Sequence, residues 1–136
     1  MKLIQSRDNA FFKQLRKLAE SGRERRKAGQ TLLDGVHLVE SYEKIIAPLD
    51  TLVVAESALA GGEIADYLAG REVVVLADAL MRELGLVDTP SGLLALAPIP
   101  AADGPPGLAA DAILLDGVQD PGNVGTLLRT AAAAGV

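Results

Sequence analysis

The stretch most informative about the fold is Asp116-Gly-Val-Gln-Asp-Pro-Gly-Asn-Val-Gly-Thr-Leu-Leu-Arg-Thr-Ala131, which follows the apolar run Asp111-Ala-Ile-Leu-Leu-Asp116. A short apolar run that ends in an acid is typical of a strand buried on both faces, as in parallel sheets. The Gly/Pro segment 117–122 predicts a turn, and from Val124 the apolar spacing becomes helical. The order strand, loop, helix predicts one β-α unit, which requires a second strand beside the first.

Two polar residues of this unit are candidates for chemistry. Asn123 lies where the helix is expected to begin, so its side chain would cap a helical N–H, and Gly135 predicts the helix end. Arg129 lies six positions after Asn123 and off the apolar face. Ligands of open α/β sheets bind at the carboxyl ends of strands, where both side chains could reach a common ligand. Without further information, a helix cap and a solvated cation are the simpler interpretation.

The segment resembles the first motif of the SpoU (TrmH-like) RNA 2′-O-ribose methyltransferases, which belong to the knotted SPOUT class. The family pattern Asn-x-Gly-x-x-x-Arg-(Thr/Ser)-Ala matches residues 123–131 at every specified position. Near the start of the chain, Ser6, Asn9 and Lys13 resemble the family's opening pattern Ser-x-x-Asn-x-x-x-Lys. The resemblance therefore covers the whole chain, as the front half of a family member.

Two further segments carry the resemblance with one substitution each. Arg23-Glu-Arg-Arg-Lys-Ala-Gly-Gln-Thr-Leu-Leu-Asp-Gly35 resembles the family's basic stretch, apolar strand and Glu-Gly pair, with Asp34 in place of Glu. Thr89-Pro90-Ser91-Gly92-Leu-Leu-Ala-Leu-Ala97 is similar to the family's Thr-Pro-Gln-Gly-Val-Leu-Ala-Val, with Ser91 in place of Gln. We interpret the latter segment as a structural turn that enters a strand.

The resemblance implies an enzyme that transfers a methyl group from S-adenosylmethionine to a ribose 2′-hydroxyl of rRNA or tRNA. It implies that Arg129 positions the target phosphate and stabilises the developing alkoxide, while Asn123 holds that geometry or binds the ribose. Its donor pocket is built by later motifs, and nothing in this chain resembles them. We therefore expect no cofactor-binding residue here, and a fragment, truncated at Val136, that binds RNA but is inactive alone.

The composition bounds the function. The chain has 136 residues, is 49% hydrophobic and contains no cysteine, which excludes disulfides, thiolate metal sites and cysteine nucleophiles. A single histidine, His37, is poor evidence for a metal site, so no metal is expected. No apolar run is long enough to span a membrane and the first residues do not form a signal peptide. These features fit a cytoplasmic protein.

Charge is distributed unevenly along the chain. The net charge is −5, yet residues 1–29 carry +6 and residues 30–136 carry −11. Such asymmetry is typical of a polyanion-binding arm on an acidic domain. The candidate RNA-binding residues are Lys13, Arg16, Lys17, Arg23, Arg25, Arg26 and Lys27. The plainer alternative is a solvated helix face.

The order of elements predicts an α/β fold with a mainly parallel sheet in three α/β/α layers, resembling ribosomal proteins that bind kinked RNA. Helices are predicted over 8–19 (capped by Ser6 or Asp8), 36–46, 57–69 and 78–84, and strands over 30–33, 50–55, 72–76 and 92–97. Residues 1–97 are expected to be the RNA substrate-binding domain. Residues 98–110, rich in Pro and Gly, are expected to be a linker, and residues 111–136 the start of the SPOUT methyltransferase domain.

Two alternatives stay open. One is a stand-alone RNA- or ribosome-binding module that does no chemistry. The other is an unrelated α/β fragment that binds phosphate through the loop Gly117–Gly125 at a helix N-terminus. The sequence also leaves open whether the chain forms a homodimer, although members of the family usually pair through the later domain.

Overall fold

The computed structural model describes residues 1–105, 107, 109 and 111–136, in two compact units, Met1–Pro100 and Ala101–Val136. The strands of the first unit are β1 (Lys2–Ile4), β2 (Gln30–Asp34), β3 (Thr51–Ala55), β4 (Val73–Leu76) and β5 (Leu93–Pro98). Its helices are α1 (Ala10–Glu20), α2 (Gly22–Ala28), α3 (Val36–Ile45), a 3₁₀ helix (Glu56–Ala60), α4 (Glu63–Leu68) and α5 (Asp78–Leu84). The second unit contains α6 (Pro121–Ala133). Of the predicted linker 98–110, Pro106, Leu108 and Ala110 lie outside the described residues.

The five strands form one mixed sheet in the order β1-β4-β3-β5-β2. The pairs β1–β4 and β4–β3 are parallel, whereas β3–β5 and β5–β2 are antiparallel. The α/β class is confirmed, but the prediction of a mainly parallel sheet is wrong. The reason lies in the segment after α5, which returns to the carboxyl end of β3 before β5 begins, so that Ala55 N donates to Gly92 O at 2.8 Å. The edge strand β1 escaped prediction because three residues are too few to show a period.

Two apolar layers cover the two faces of the sheet. Side chains alternate along each strand, so Leu52 and Val54 pack on one face with α3 and α4, while Val53 and Ala55 pack on the other with α1 and α5. Their burial is nearly complete, which is the main stabilising term of such a fold. The three-layer α/β/α arrangement is therefore confirmed. In the part of the chain that the structure describes, no helix is long and apolar enough to cross a membrane.

Two predicted helices differ from those observed. Helix α1 is capped by Asn9 rather than by Ser6 or Asp8, because Asn9 Oδ1 accepts from the backbone N–H of Phe11 at 2.9 Å and of Phe12 at 3.2 Å. The predicted helix 57–69 is divided into the 3₁₀ helix and α4. The division falls at Gly61 and Gly62, whose φ angles of 139° and 88° are incompatible with a continuous helix.

In the second unit, residues 111–120 have no regular secondary structure and precede α6. The strand predicted in the apolar run 111–116 is absent, since residues 111–120 are described without sheet pairing, and a strand needs a neighbour to satisfy its backbone groups. Helix α6 is capped by Asp120, whose Oδ1 accepts from Gly122 N at 2.8 Å, so Asn123 is not the cap. The end at Gly135 is confirmed, with φ 80° and paired bonds from Gly135 and Val136 back to the last turn.

Candidate functional site

The predicted RNA-binding side chains lie on the first two helices, and the packing of α1 turns them outward. Phe12, Leu15 and Leu18 of α1 are buried in the core. The helix therefore has its polar face toward solvent. The seven residues are distributed over α1 (Lys13, Arg16, Lys17) and α2 (Arg23, Arg25, Arg26, Lys27).

Ser21 joins the two helices. Its backbone N–H donates to Lys17 O at 3.1 Å and ends α1, while its Oγ accepts from Glu24 N at 3.2 Å and caps α2. A single residue thus ends α1 and caps α2, so the two helices follow each other directly. A groove of about 310 Å³ runs between the helices, with Lys13, Lys17 and Glu24 among its walls.

Two of the α1 cations are engaged by neighbouring acids. Lys13 Nζ lies 3.5 Å from Asp8 Oδ1. Arg16 lies 3.5 Å from Glu83 Oε1 and 3.9 Å from Glu20 Oε1. These pairs are partly exposed, so each contributes little to stability, but they reduce the positive charge that Lys13 and Arg16 present to a ligand.

Arg25 has a structural role in the observed fold. Its Nη1 donates to the backbone oxygens of Leu18 at 2.6 Å and Ala19 at 3.3 Å, in the last turn of α1. The last carbonyls of a helix have no partner within the helix, so these bonds satisfy groups that otherwise need water. Arg25 therefore stabilises the junction of α1 and α2, and it is the least suitable of the seven predicted residues for binding a ligand.

The other four cations, which we call the cationic surface, are Lys17, Arg23, Arg26 and Lys27. All four are exposed. In the described ranges no acidic side chain lies within 4.0 Å of them. The three on α2 occupy positions i, i+3 and i+4, which share one face of a helix. The cationic surface thus presents its positive charge to solvent.

The Asn123–Arg129 pair lies on α6. Asn123 is exposed in the first turn, and Arg129 is exposed nearly two turns later. Arg129 Nη2 approaches Thr126 Oγ1 at 3.4 Å, and its Nη1 lies 3.1 Å from the point that a Cβ on Gly125 would occupy. Glycine at 125 therefore leaves room for the guanidinium to fold toward the helix start. Within residues 111–136 no hydrogen bond joins Asn123 and Arg129.

A cavity of about 380 Å³, which the sequence did not predict, lies at the carboxyl ends of β3 and β4. It is lined by Ala55, Ser57, Ala58, Asp78, Met81, Arg82, Pro90, Ser91 and Gly92. Ser57 donates to Asp78 Oδ1 from its backbone N–H at 3.1 Å and from its hydroxyl at 2.9 Å. These two bonds hold the pKa of Asp78 below its usual value, so it is a carboxylate at neutral pH. The sequence does contain one indication of this cavity: a polar residue, Ser57 or Asp78, follows shortly after each of the two neighbouring apolar strands β3 and β4.

Asp34 connects the edge of this cavity to β2. Its Oδ1 accepts from Ser91 N at 3.3 Å, while its Oδ2 is buried without a hydrogen-bond partner among the described residues. The two segments in which the chain departs from the family pattern, at Asp34 and at Ser91, are thus bonded to each other. The interpretation of Thr89–Gly92 as a structural turn agrees with this bond and with the φ of 95° at Gly92.

Comparison with known proteins places residues 9–95 in the family described as MRM3-like substrate binding domain. The chain is 32% identical over 136 residues to the 23S rRNA (guanosine(2553)-2′-O)-methyltransferase RlmP of Bacillus subtilis, covering 100% of this chain and 52% of that protein. Its structure is similar to a crystal structure of an RNA 2′-O ribose methyltransferase, with a TM-score of 0.77, 29% identity and coverage of 98% of this chain and 53% of the other.

A second solved structure is the AdoMet-bound rRNA methyltransferase from Sinorhizobium meliloti, with a TM-score of 0.70, 25% identity and coverage of 99% and 52%. The chain thus spans about half the length of the relatives it matches. The matched family region contains α1 and α2, the strands β2, β3 and β4, the start of β5 and the cavity, whereas β1 and α6 lie outside it.

Proposed function

The chain belongs to the family of MRM3-like substrate-binding domains, and on that basis we propose that residues 1–97 are the RNA-binding domain of an RNA 2′-O-ribose methyltransferase. Residues 98–110 are the linker in this proposal, and residues 111–136 begin the SPOUT methyltransferase domain. The substrate is rRNA or tRNA. The relatives' activity supports the proposal, because they are RNA methyltransferases that this chain matches over nearly its whole length.

The observation that carries the proposal is the cationic surface. Lys17, Arg23, Arg26 and Lys27 lie on a chain of net charge −5 and are still exposed and unengaged by acids in the part that the structure describes. A surface salt bridge gains little energy, whereas neutralising RNA phosphates releases condensed counterions and gives strong, salt-dependent binding. Phosphate contacts of this kind position the nucleic acid without reading its sequence.

In the proposed reaction Arg129 and Asn123 act on the target nucleotide. A guanidinium carries its positive charge at neutral pH, so Arg129 is poorly suited to remove a proton. It instead binds the phosphate next to the target ribose and stabilises the negative charge that develops on the 2′-oxygen. Asn123, with an amide that both donates and accepts, holds the ribose. Positioning of this kind supplies much of the rate of a group transfer.

S-adenosylmethionine is the methyl donor that the AdoMet-bound relative indicates for the family. A cavity of about 230 Å³ lies near α6, lined by Ile113, Leu115, Leu127, Leu128, Ala131 and Val136 and by one acid, Asp111. Ligand pockets usually exceed ~300 Å³ and contain several convergent polar groups. The cavity does not fit a molecule with an adenine, a ribose and a charged amino acid, so we assign no donor-binding residue in this chain.

The experiment is a filter-binding titration of the chain with structured ribosomal RNA and transfer RNA at two salt concentrations. The test variant replaces Arg23 and Lys27 by Gln, and the matched control replaces Lys2 and Lys44, which lie outside α1 and α2. The proposal expects salt-sensitive binding that the test variant weakens about tenfold or more and the control leaves nearly unchanged. Absence of RNA binding, or equal loss in both variants, would contradict it.

A further inference from the structure

We propose that the cavity at the carboxyl ends of β3 and β4 binds one unstacked RNA base that carries an exocyclic amino group. This inference rests on the proposed function, since it names the part of the RNA that the domain reads. It concerns side chains far from the cationic surface in sequence: Ser57, Asp78, Arg82 and Ser91.

The position of the cavity follows from the topology of the sheet. After β3 the chain passes to α4, which packs through Leu68 on one face, and after β4 it passes to α5, which packs through Leu80 on the other face. Connections that leave adjacent strands toward opposite faces open a crevice at the strand ends, and open α/β sheets bind their ligands there. The cavity lies in that crevice and is closed on its third side by Pro90–Gly92.

The walls of the cavity suit a flat ring. Its volume of about 380 Å³ falls in the range of small-molecule pockets. Ala58, Met81 and Pro90 supply apolar contact surface, and a thioether packs well against an aromatic ring. Gly92 is essential to the shape, because a Cβ at this residue would lie 3.1 Å from the Ala58 Cβ. RNA-binding proteins commonly recognise single-stranded bases that are extruded from the helix into such sites.

The polar groups favour a base with an amino group. Asp78 Oδ1 is occupied by the two bonds from Ser57, which leaves Oδ2 to accept from a ligand. Arg82, one helical turn after Asp78, is exposed, and in the described ranges no acid lies within 4.0 Å of it. Its guanidinium supplies only donors. The pair thus offers an acceptor beside a donor.

Adenine, cytosine and guanine match that pair, because each has an amino donor beside a ring acceptor. Uracil matches it less well. Its one donor, N3–H, is flanked by two carbonyl oxygens, so a carboxylate oxygen of Asp78 that accepts from N3–H lies close to both of them and is repelled. The cavity therefore discriminates between bases by the hydrogen-bonding groups on their edges.

The test is an NMR titration of the 136-residue chain with AMP, CMP, GMP and UMP, with ribose 5-phosphate as the probe for phosphate and sugar alone. The backbone amides of Ser57, Ala58, Ser91 and Gly92 should shift with the amino-bearing nucleotides. These should bind at least about fivefold more tightly than UMP, the ratio expected of one hydrogen bond. Equal binding of all four nucleotides, the same shifts with ribose 5-phosphate, or no shift at the cavity would overturn the proposal.

A substitution sharpens the test. In Asp78→Asn the amide oxygen still accepts from Ser57, while an N–H₂ donor replaces the Oδ2 acceptor. The preference should therefore reverse toward UMP by a similar factor. The matched control is Asp50→Asn, which lies beside a cavity of similar size, about 340 Å³, at the opposite ends of the strands. A preference unchanged in Asp78→Asn, or reversed also in the control, would contradict the assignment.

Arg82→Gln is a second variant, which keeps the proposal testable if Asp78→Asn does not fold. Arg82 is exposed, so its replacement should leave the fold intact and weaken all amino-bearing nucleotides to a similar extent; unchanged binding would count against the site. The two proposals fail separately. Salt-sensitive RNA binding through the cationic surface with no nucleotide at the cavity leaves the proposed function standing and rejects the base site.

Discussion

The guanidinium of Arg25, in α2, donates a hydrogen bond to the backbone oxygen of Leu18 at 2.6 Å and so connects α2 to the last turn of α1. A sequence pattern cannot separate this arginine from its neighbours Arg23 and Arg26, since all three lie in one charged run. The structure assigns them different tasks. Arg25 stabilises the junction, whereas its neighbours belong to the cationic surface.

Replacing Arg25 should therefore lower stability. In Arg25→Met the side chain keeps its apolar stem but loses the bonds to Leu18 and Ala19, and we expect a loss of about 1 kcal/mol in the free energy of unfolding. Arg23→Met, at an exposed position of the same helix, should change it by less than ~0.5 kcal/mol. Urea denaturation of the two variants provides the comparison, and equal effects would show that the bonds of Arg25 contribute nothing.

Gly92 should tolerate no side chain. Its φ is 95°, and a Cβ would approach the Ala58 Cβ at 3.1 Å, so Gly92→Ala combines backbone strain with a steric clash. We expect a loss of about 2 kcal/mol or more. Gly70→Ala is the control for strain alone, because φ is 77° there and nothing lies within 4 Å of the added carbon. In thermal unfolding, the melting temperature of Gly92→Ala should be clearly lower than that of Gly70→Ala. The reverse order would mean that the residues around Gly92 shift to make room for the added carbon.

The carboxylate of Glu43 should make stability depend on pH. It accepts from Arg71 Nη2 at 3.0 Å, from the Tyr67 hydroxyl at 2.7 Å and from Leu49 N at 3.2 Å. Burial acts to raise the pKa of Glu43, but the hydrogen bonds from these three partners together lower it below 4.5. A lowered folded-state pKa gives stability that is present above the unfolded pKa and is lost as pH falls through the folded value.

Glu43→Gln tests this dependence. The variant should be less stable than the parent by about 1 kcal/mol at pH 7, and the gap should narrow as the pH falls through the lowered pKa of Glu43, because the parent then loses its charged carboxylate. Urea denaturation at pH 7 and at a series of acidic pH values measures the gap. A gap that stays constant with pH would mean that the ionised form of Glu43 has no special role.

The same variant should alter a tyrosine. Burial and the hydrogen bond to Glu43 raise the pKa of Tyr67 to about 12. Without the negative charge of Glu43, the phenol should ionise at lower pH, closer to its ordinary value of 10.0. Spectrophotometric titration of Glu43→Gln, in a Tyr42→Phe background that leaves Tyr67 as the one phenol, reports this. If Tyr67 titrates at the same pH in the variant as in the parent, burial alone accounts for its raised pKa.

The chain should not bind S-adenosylmethionine at micromolar concentration. The cavity near α6 is small and largely apolar, with Asp111 as its single charged side chain. Isothermal titration calorimetry of the chain with S-adenosylmethionine should show no saturable heat, while RNA in the same cell serves as the positive control. A micromolar dissociation constant would contradict the account of residues 111–136.

The order of the elements from β2 to β5 could be predicted from sequence because most of them have a clear apolar period, whereas the three-residue strand β1 could not be predicted. Helix α5 has the predicted bounds, Asp78–Leu84. The direction of β5 could not be predicted, since the alternation of strands and helices is the same whether the last strand runs parallel or antiparallel. The break in 57–69 was indicated by Gly61-Gly62, but only the observed φ angles show that the helix divides there.

The residue types of the candidate site could be predicted from sequence, whereas the partners of these residues could not. The cations of α1 and α2 were identified from charge alone, but which of them are engaged depends on Glu83 and on the carbonyl of Leu18, which lie close to them only in the folded chain. The cap of α6 was assigned to Asn123 because the apolar pattern begins at Val124. Asp120 is the actual cap, since Pro121 fits the first helical position and extends the helix backward.

The most direct test of the central claim, that the cationic surface binds RNA phosphates, is the salt dependence of RNA affinity. The slope of log K against log salt counts the neutralised phosphates. In the variant with Lys17, Arg23, Arg26 and Lys27 all changed to Gln, the account predicts a slope smaller by about 3 to 4 than in the parent chain. Parallel slopes for the two proteins would contradict it, because the phosphates would then be bound elsewhere on the chain.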